Sequence, residues 1–390
     1  MNVDMKNKLF VFFFIFLLIL ISCKKNSNDD GAKYHVVING SPKDNDIISI
    51  TEFVDSVDFI KLETTNSCLI GRISKIIFTN NLLIIQDAKT ASIFLFDRNG
   101  KFINSISNRG NGPGEYVSLT RVMFDSVSQQ IIIYDSSSSK MIFYNTRGDF
   151  IKEINQFCES AVIRDIINLP NKNFLCYCHD YSEGYKHCGL WEVDSTGLFL
   201  KTYLNRMHGY PFLLNEDNSY LYLISDGIGL CCGDVDKIFH YRQDSLYEFL
   251  SYKIKNGTSI EDIKNNKDNK AYTFVDKIKT QEKRNLLLTE WIDEKNTGFK
   301  SIYSTIDNKI TVGRGINYNN THFASVWGHI VDSNDTTSIV LYIPADLVIE
   351  GLNNQYTTEI ARNKLKELTS EMSESDISEM NPIIEILHVK

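Results

Sequence analysis

Residues 81–100 read NLLIIQDAKTASIFLFDRNG and residues 129–148 read QQIIIYDSSSSKMIFYNTRG. Asp87 aligns with Asp135 and Gly100 with Gly148, both 48 residues apart. Each copy is a short apolar strand, an Asp, a polar connection, a second apolar strand and a turn. The turns DRNG and TRGD put Asn and Gly where a tight hairpin needs positive φ. A third copy runs through FLCYCHD (174–180) and LWEVDSTGLFL (190–200), a fourth through YLYLISD (220–226) and KIFHYRQDSLYEFL (237–250). Asp87, Asp135, Asp180 and Asp226 therefore recur at intervals of 48, 45 and 46 residues. A period in the forties with about four strands per unit is the pattern of propeller blades. One blade cannot bury both its faces, so neighbours must pack around a common axis. The repeated Asp reads as a cap on the turn after the second strand, because short carboxylates accept from nearby amides. A metal or catalytic role for the set is the sharper alternative.

Later copies are weaker. KSIYSTIDNKITVGRG (300–315) matches the strand portion of a fifth unit, with Gly313 where the Asp would stand. WGHIVDSNDTTSIVLYIP (327–344) reads as a hairpin continuing that region. The charged stretch 259–294 has helical spacing at Phe274 and Ile278 and reads as a helical insertion on one rim. ARNKLKELTSEM (361–372) reads as a short C-terminal helix before a closing strand in NPIIEILHVK (381–390). Pairing that strand with DSVDFIKLET (55–64) would close the ring and remove exposed edges. The expected fold is all-β, a six-bladed β-propeller over residues 34–390.

The front of the chain gives an address. Lys6 and Lys8 precede an unbroken apolar run, Leu9 to Ile21, too short to span a bilayer comfortably and suited to a signal h-region. It ends in Leu20-Ile21-Ser22-Cys23, which resembles the lipobox of bacterial lipoproteins. That resemblance implies a signal peptide over 1–22 and lipid on Cys23. Residues 23–33, beginning CKKNSNDDG, read as a solvated tether. A single acyl chain holds a membrane only marginally, so stable anchoring needs the multiple acylation typical of such proteins. The expected location is the outer membrane, facing the periplasm or the outside. A net charge of −8 argues against a nucleic-acid partner, which needs a basic footprint. Aromatics at 12% with six prolines fit a β-rich body, not a disordered chain.

The chain resembles the six-bladed β-propeller lipoproteins of Bacteroides-type bacteria, distant relatives of NHL-repeat propellers. The likeness rests on the lipobox, on DSVDFIKLETT followed by IGRISKIIF (70–78), on GNGPGEY (110–116) and on the closing NPIIEILHVK. GNGPGEY is not a phosphate loop of the P-loop kind, which needs a following helix and a Lys before Ser or Thr. Here a strand, VSLTRVMF, follows. The glycines read as a strap that carries the chain from one blade's outer edge to the next blade's inner strand.

Polar residues of that strap, Arg109, Glu115 and Tyr116, are expected near a channel mouth. Lys75, Arg121 and Arg164 occupy matching positions at inner-strand starts. Together they are the candidate ligand site, for a glycan or an anionic small molecule gripped by guanidinium groups. The competing reading pairs the basic residues with acids such as Glu115 and Asp165. CYCHDYSEGYKHC (176–188) offers Cys176, Cys178, His179 and Cys188 as a weak zinc alternative, although its CxC spacing is not the usual knuckle. The other cysteines, Cys68, Cys158, Cys231 and Cys232, read as buried small apolar residues. No cofactor is implied. The functional expectation is a ligand-binding or protein-interaction module of the envelope, with a glycan or an envelope protein as partner. An envelope hydrolase or lyase working at the channel mouth is the alternative.

Overall fold

A computed structural model of the chain describes residues 31–38, 42–43, 46–158, 163–178, 188–206, 220–231, 237–254, 276–292, 297–317, 329–353 and 359–390. The expected signal peptide, Cys23 and most of the tether lie outside these residues.

The N-terminal stretch supplies β1 (Tyr34–Ile38), β2 (Ile47–Ser49) and β3 (Val54–Lys61). Blade one is β4 (Ile73–Phe78), β5 (Leu82–Asp87), β6 (Ser92–Asp97) and β7 (Phe102–Ile106). Blade two is β8 (Arg121–Asp125), β9 (Gln130–Asp135), β10 (Lys140–Asn145) and β11 (Phe150–Ile154). Blade three is β12 (Ile163–Asn168), β13 (Phe174–Cys178), β14 (Cys188–Val193) and β15 (Phe199–Arg206). Blade four is β16 (Leu221–Ile224), β17 (Gly227–Cys231), β18 (Lys237–Arg242) and β19 (Ser245–Ile254), with β1 added in parallel along β19. Blade five is β20 (Asp276–Lys283), β21 (Leu286–Ile292), β22 (Gly298–Ser304) and β23 (Lys309–Gly313). Then come β24 (Gly315–Asn317), β25 (His329–Ile330), β26 (Asp332–Ser333) and β27 (Ser338–Ile343). Helices α1 (Ala345–Asn353), α2 (Glu359–Leu368) and α3 (Glu374–Glu379) precede β28 (Ile383–Val389). Blade six has the order β25-β27-β28-β3, so the expected pairing of the last strand with the N-terminal segment closes the ring. The chain is a six-bladed β-propeller.

The continuous apolar runs follow from burial on both faces. In β5, Leu83 and Ile85 pack towards blade six, while Leu82 and Ile84 pack towards blade two. In β9, Ile131 and Ile133 face blade one, and Ile132 and Tyr134 face blade three. Among the described residues, an apolar cluster fills each of the six interfaces between neighbouring blades. A seventh lies beneath the three helices, against Ile343 and Ile383. The turn glycines Gly100 and Gly148 have φ of 85° and 86°, as the DRNG and TRGD readings require.

Three sequence expectations are corrected here. The stretch read as a helical insertion (259–294) contains the antiparallel pair β20–β21 over 276–292; its residues 259–275 and 293–294 are outside the described set. Leu286–Leu288 is a strand buried on both faces, and Arg284 takes φ of 52° in the intervening turn. YLYLISD is the inner strand of blade four, so Asp226 sits in the first turn of that blade, not after its second strand. Gly313 ends the outer strand of blade five. In the last two cases apolar periodicity identified a strand but not its place within the blade.

Asp87 and Asp135 do cap their turns, and they do more. Asp135 is fully buried and accepts from the amides of Ser137 and Ser138 in the turn and from the Ser138 hydroxyl. It also accepts from the amides of Val117 and Ser118 and from the Ser118 hydroxyl, on the segment entering β8. Asp87 likewise holds the amides of Gly71, Arg72 and Lys89. One carboxylate thus fastens a turn to the strap arriving from the preceding blade. Burial pushes the Asp135 carboxyl up, but the Ser118 and Ser138 hydroxyls and the strap amides outweigh it and hold it below the ordinary value. A depressed folded value contributes stability above the unfolded value of about 3.9 and loses it as the pH falls through the folded one. Asp135→Ala should cost about 2–4 kcal/mol at pH 7 by urea unfolding. The gap to wild type should narrow below about pH 4; a gap that is constant with pH would contradict this account.

Candidate functional site

The connections set two distinct ends to the axis. Turns between first and second strands, and between third and fourth strands, lie at one end, the mouth. Straps and second-to-third connections lie at the other. The strap GNGPGEY runs at this second end. Its Tyr116 is fully buried in the core between blades one and two, where its hydroxyl donates to the carbonyls of Ala91 (2.7 Å) and Ile106 (3.2 Å). Burial pushes the Tyr116 phenol well up. Glu115 folds back to accept from the Gly112 amide at 2.8 Å, and a Cβ on Gly110 would meet its carboxylate at 2.0 Å. Arg109 is exposed and bridges Tyr116 through the backbone. The strap is a structural joint, as its sequence indicated, and Glu115 and Tyr116 are consumed in building it.

The basic residues on the inner strands are matched by carboxylates. Arg121 Nε lies 2.5 Å from Asp165 Oδ1, with both side chains buried. Asp165 also accepts from the amides of Tyr220 (2.7 Å) and Leu221 (2.8 Å), so one pair joins blades two, three and four. Burial alone would lower the Arg121 guanidinium, yet Asp165, helped by Asp332, holds it above its ordinary value. Lys75 lies 3.3 Å from Asp332 of β26. Arg164 is half-buried at a bulge in β12. Of the six residues expected at a ligand site, Lys75, Glu115, Tyr116 and Arg121 are thus engaged by protein groups, while Arg109 is exposed and Arg164 half-buried. The acids that match Lys75 and Arg121 come from distant chain positions, Asp332 and Asp165.

Residues 331–335 form a crossing segment inside the ring. After the short β25, the chain leaves blade six, and β26 pairs in parallel with β4 of blade one. Gln281 Nε2 donates to the Val331 carbonyl at 2.9 Å, and Lys283 donates to Ser333 and to the Asp335 carbonyl. Asn334 accepts from the Phe78 amide (2.7 Å) and donates to the Phe78 carbonyl (2.8 Å). Beside this segment the axis narrows to a chamber of about 70 Å³ between Lys75, Asp332 and Leu223.

At the mouth the axis widens to a cavity of about 800 Å³ bounded by the first turns of blades one to four, the outer turn of blade four and Asn334. Phe78, Phe124, Ile167, Leu223 and Tyr241 give it apolar walls, and Asn80, Gln129, Asn168, Asn171 and Gln243 bring side-chain amides. Its charged groups are Asp125, Asp226, Asp244 and Arg242, with Arg242 Nε 2.9 Å from Asp226. The Asp125 carboxyl, pushed up by burial, is held below the ordinary range by the Ser128 hydroxyl and the Val127 and Ser128 amides. Burial pushes the Tyr241 phenol up to about 12, so it stays protonated and donates to Asp244 at 2.9 Å. These residues were not singled out from the sequence, although a signal exists. Inner strands end in FTNN (78–81), FDSVSQ (124–129), INLPNKN (167–173) and ISDG (224–227), all rich in Asn, Asp and Ser.

Two chemical alternatives can be tested on geometry. Ser338 Oγ is 3.1 Å from His388 Nδ1, and His388 Nε2 is 2.8 Å from Asp58 Oδ2. This order of residues resembles a hydrolytic triad, but Ser338 is fully buried and cannot meet a substrate. Cys176 and Cys178 share one face of β13 and point into the core between blades two and three. Burial pushes the Cys176 thiol well above its ordinary value, which opposes thiolate ligation. His179 and the Cys188 side chain lie outside the described residues. Among the described residues, no three His, Cys, Asp or Glu side chains are grouped to hold a metal ion, and Cys68, Cys158, Cys176, Cys178 and Cys231 form no disulfide.

Comparison with known proteins agrees with this architecture. Residues 34–388 match a family described as "Domain of unknown function (DUF4934)". A solved structure of a Bacteroides fragilis NCTC 9343 protein, described on inference as exported, is 17% identical. It superposes with a TM-score of 0.73 over 91% of this chain and 99% of that one. A DUF4221-family structure from Bacteroides vulgatus ATCC 8482 is 12% identical, with a TM-score of 0.48 over 86% of this chain and 97% of that one. No curated protein matches the chain.

Removing one partner of the buried pair should expose its structural role. Arg121→Met leaves Asp165 charged and buried, and should lower stability by about 3–5 kcal/mol by urea unfolding. A change under about 1 kcal/mol would return Arg121 to the list of ligand-facing residues.

Proposed function

The chain belongs to the DUF4934 family, and we propose that it is an exported envelope protein, held to the outer membrane by lipid on Cys23, whose mouth cavity binds an uncharged, polyhydroxylated ligand of the glycan class. The observation that carries this is the cavity itself. Its volume lies within the usual range for small-molecule sites, which join apolar walls to a few placed polar groups. Side-chain amides can both donate to and accept from sugar hydroxyls, and the half-buried rings of Phe78 and Phe124, which line the cavity, can meet the apolar faces of sugar rings. Three carboxylates against one guanidinium disfavour an anionic ligand at this end. The lipobox-like LISC and the inferred export of the Bacteroides fragilis protein support the address. Among the described residues no helix is long and apolar enough to cross a membrane.

Two measurements test this reading. Cys23→Ser should move the protein from the membrane fraction to the soluble fraction of the envelope; retention in the membrane would refute lipid anchoring. Titration calorimetry of the chain carrying Cys23→Ser, against a panel of neutral oligosaccharides, should find a binder. Phe124→Ala should weaken that binder at least about tenfold, the loss expected for one stacked aromatic contact of about 1.4 kcal/mol. Silence across the panel, or equal affinity in the variant, would overturn the glycan reading.

A further inference from the structure

Resting on that reading, we infer that the ligand is a linear oligosaccharide and that it continues from the axial cavity into a second site, a trough between blades one and six. The trough has a volume of about 670 Å³. It is lined by Asp58, Arg98, Thr336 and His388, and it shares Phe78 and Asn334 with the axial cavity. The two spaces therefore meet across a single divide. That divide is pinned, because both polar ends of the Asn334 amide hold the Phe78 backbone. The Phe78 ring stands on it with the Arg98 guanidinium 5.0 Å from its centroid. Each space suits a ligand of ordinary size, and together they suit a chain of repeating units lying across an aromatic step.

The trough's chemistry continues that of the cavity without favouring charge. Arg98 offers donors, and Asp58, largely exposed and paired with His388 through one oxygen, offers its other oxygen as an acceptor. An extended peptide is the other chain-like ligand to consider. Such peptides bind by adding a strand to an unpaired sheet edge. On the crossing segment the backbone is already committed: the Asp335 carbonyl accepts from Lys283, Thr336 from the Arg284 amide at 2.9 Å, and Thr337 from the Val389 amide at 3.0 Å. The opposite wall, Asp58 to Ile60, lies on β3, the outer strand of blade six, whose free edge makes a peptide the competing ligand that the test must separate from a glycan.

The test is affinity against chain length. Calorimetry with the mono-, tri- and hexasaccharide of one neutral glycan should show affinity rising at least tenfold with length. In Arg98→Ala, the hexasaccharide should bind no more tightly than the monosaccharide binds the unaltered protein. Arg98 is exposed, so this variant should keep its unfolding midpoint; Arg98→Gln serves if it does not. Equal affinity at all lengths, or an undiminished length effect in both variants, would overturn the trough and leave the axial site standing. No binding at any length would overturn both, and an Arg98-dependent peptide ligand would overturn the assignment to glycans.

Discussion

A ring of sheets keeps its geometry only if its last interface closes, and here that duty falls on β28. It lies between β27 on one side and β3 on the other, joining the two ends of the chain in one blade. Every residue from Ile383 to Leu387 is buried, including Glu385. Asn381, just before the strand, accepts from the Ile70 amide and donates to the carbonyls of Glu63 and Cys68, tying the closing blade to the entry of blade one. The N-terminal stretch first runs along the outer edges, β1 on blade four and β2 on β24, before completing blade six. At blade four the outer edge, which would otherwise be an open template for association, is covered by the chain's own front end.

Within the closed ring, the recurring electrostatic device is a buried carboxylate that accepts backbone amides from a neighbouring segment. Asp87 and Asp135 do this at the straps into β4 and β8. Asp165 does it for the start of β16 while also pairing with Arg121. Burying a charge is costly unless its hydrogen-bonding capacity is filled, and here it is filled by amides that would otherwise be buried without partners. Positive charge on the inner strands is part of this framework. That is why Lys75 and Arg121, which resemble a ligand grip in one dimension, are paired with Asp332 and Asp165 in three.

The two ends of the axis consequently differ in role. One carries straps, their carboxylates and the buried phenol of Tyr116. The other presents short turns, some of whose side chains also tie blades together, as Asn168 does by donating to the Phe124 carbonyl, and the segment 331–335 runs between the two. Binding chemistry belongs at the end that opens into a cavity, and the turns beside Phe78 and Phe124 line it.

How much of this was legible in one dimension depended on whether the signal was local. Strand, Asp and turn recur within about twenty residues, so the blades, the capping role of Asp87 and Asp135, and the strap nature of GNGPGEY could be read directly. The C-terminal helix was also legible, and α3 could have been, since Ser373 and Asp376 form a capping box. Which strand of a blade a run represents was not, because both a buried inner strand and a buried second strand read as uninterrupted apolar residues. That ambiguity displaced Asp226, whereas β20 was read as helix because its charged sequence, DKIKTQEK, carries no continuous apolar run. The pairings Lys75–Asp332 and Asn334–Phe78 join residues more than 250 positions apart, and the mouth cavity is assembled from turns of four blades. No local pattern encodes such contacts. The sequence by itself determined a ring of repeated small sheets, because burial on two faces leaves a periodic trace. Only the tertiary structure decided where the ring is open, because that depends on which polar side chains the closure of the ring has already used.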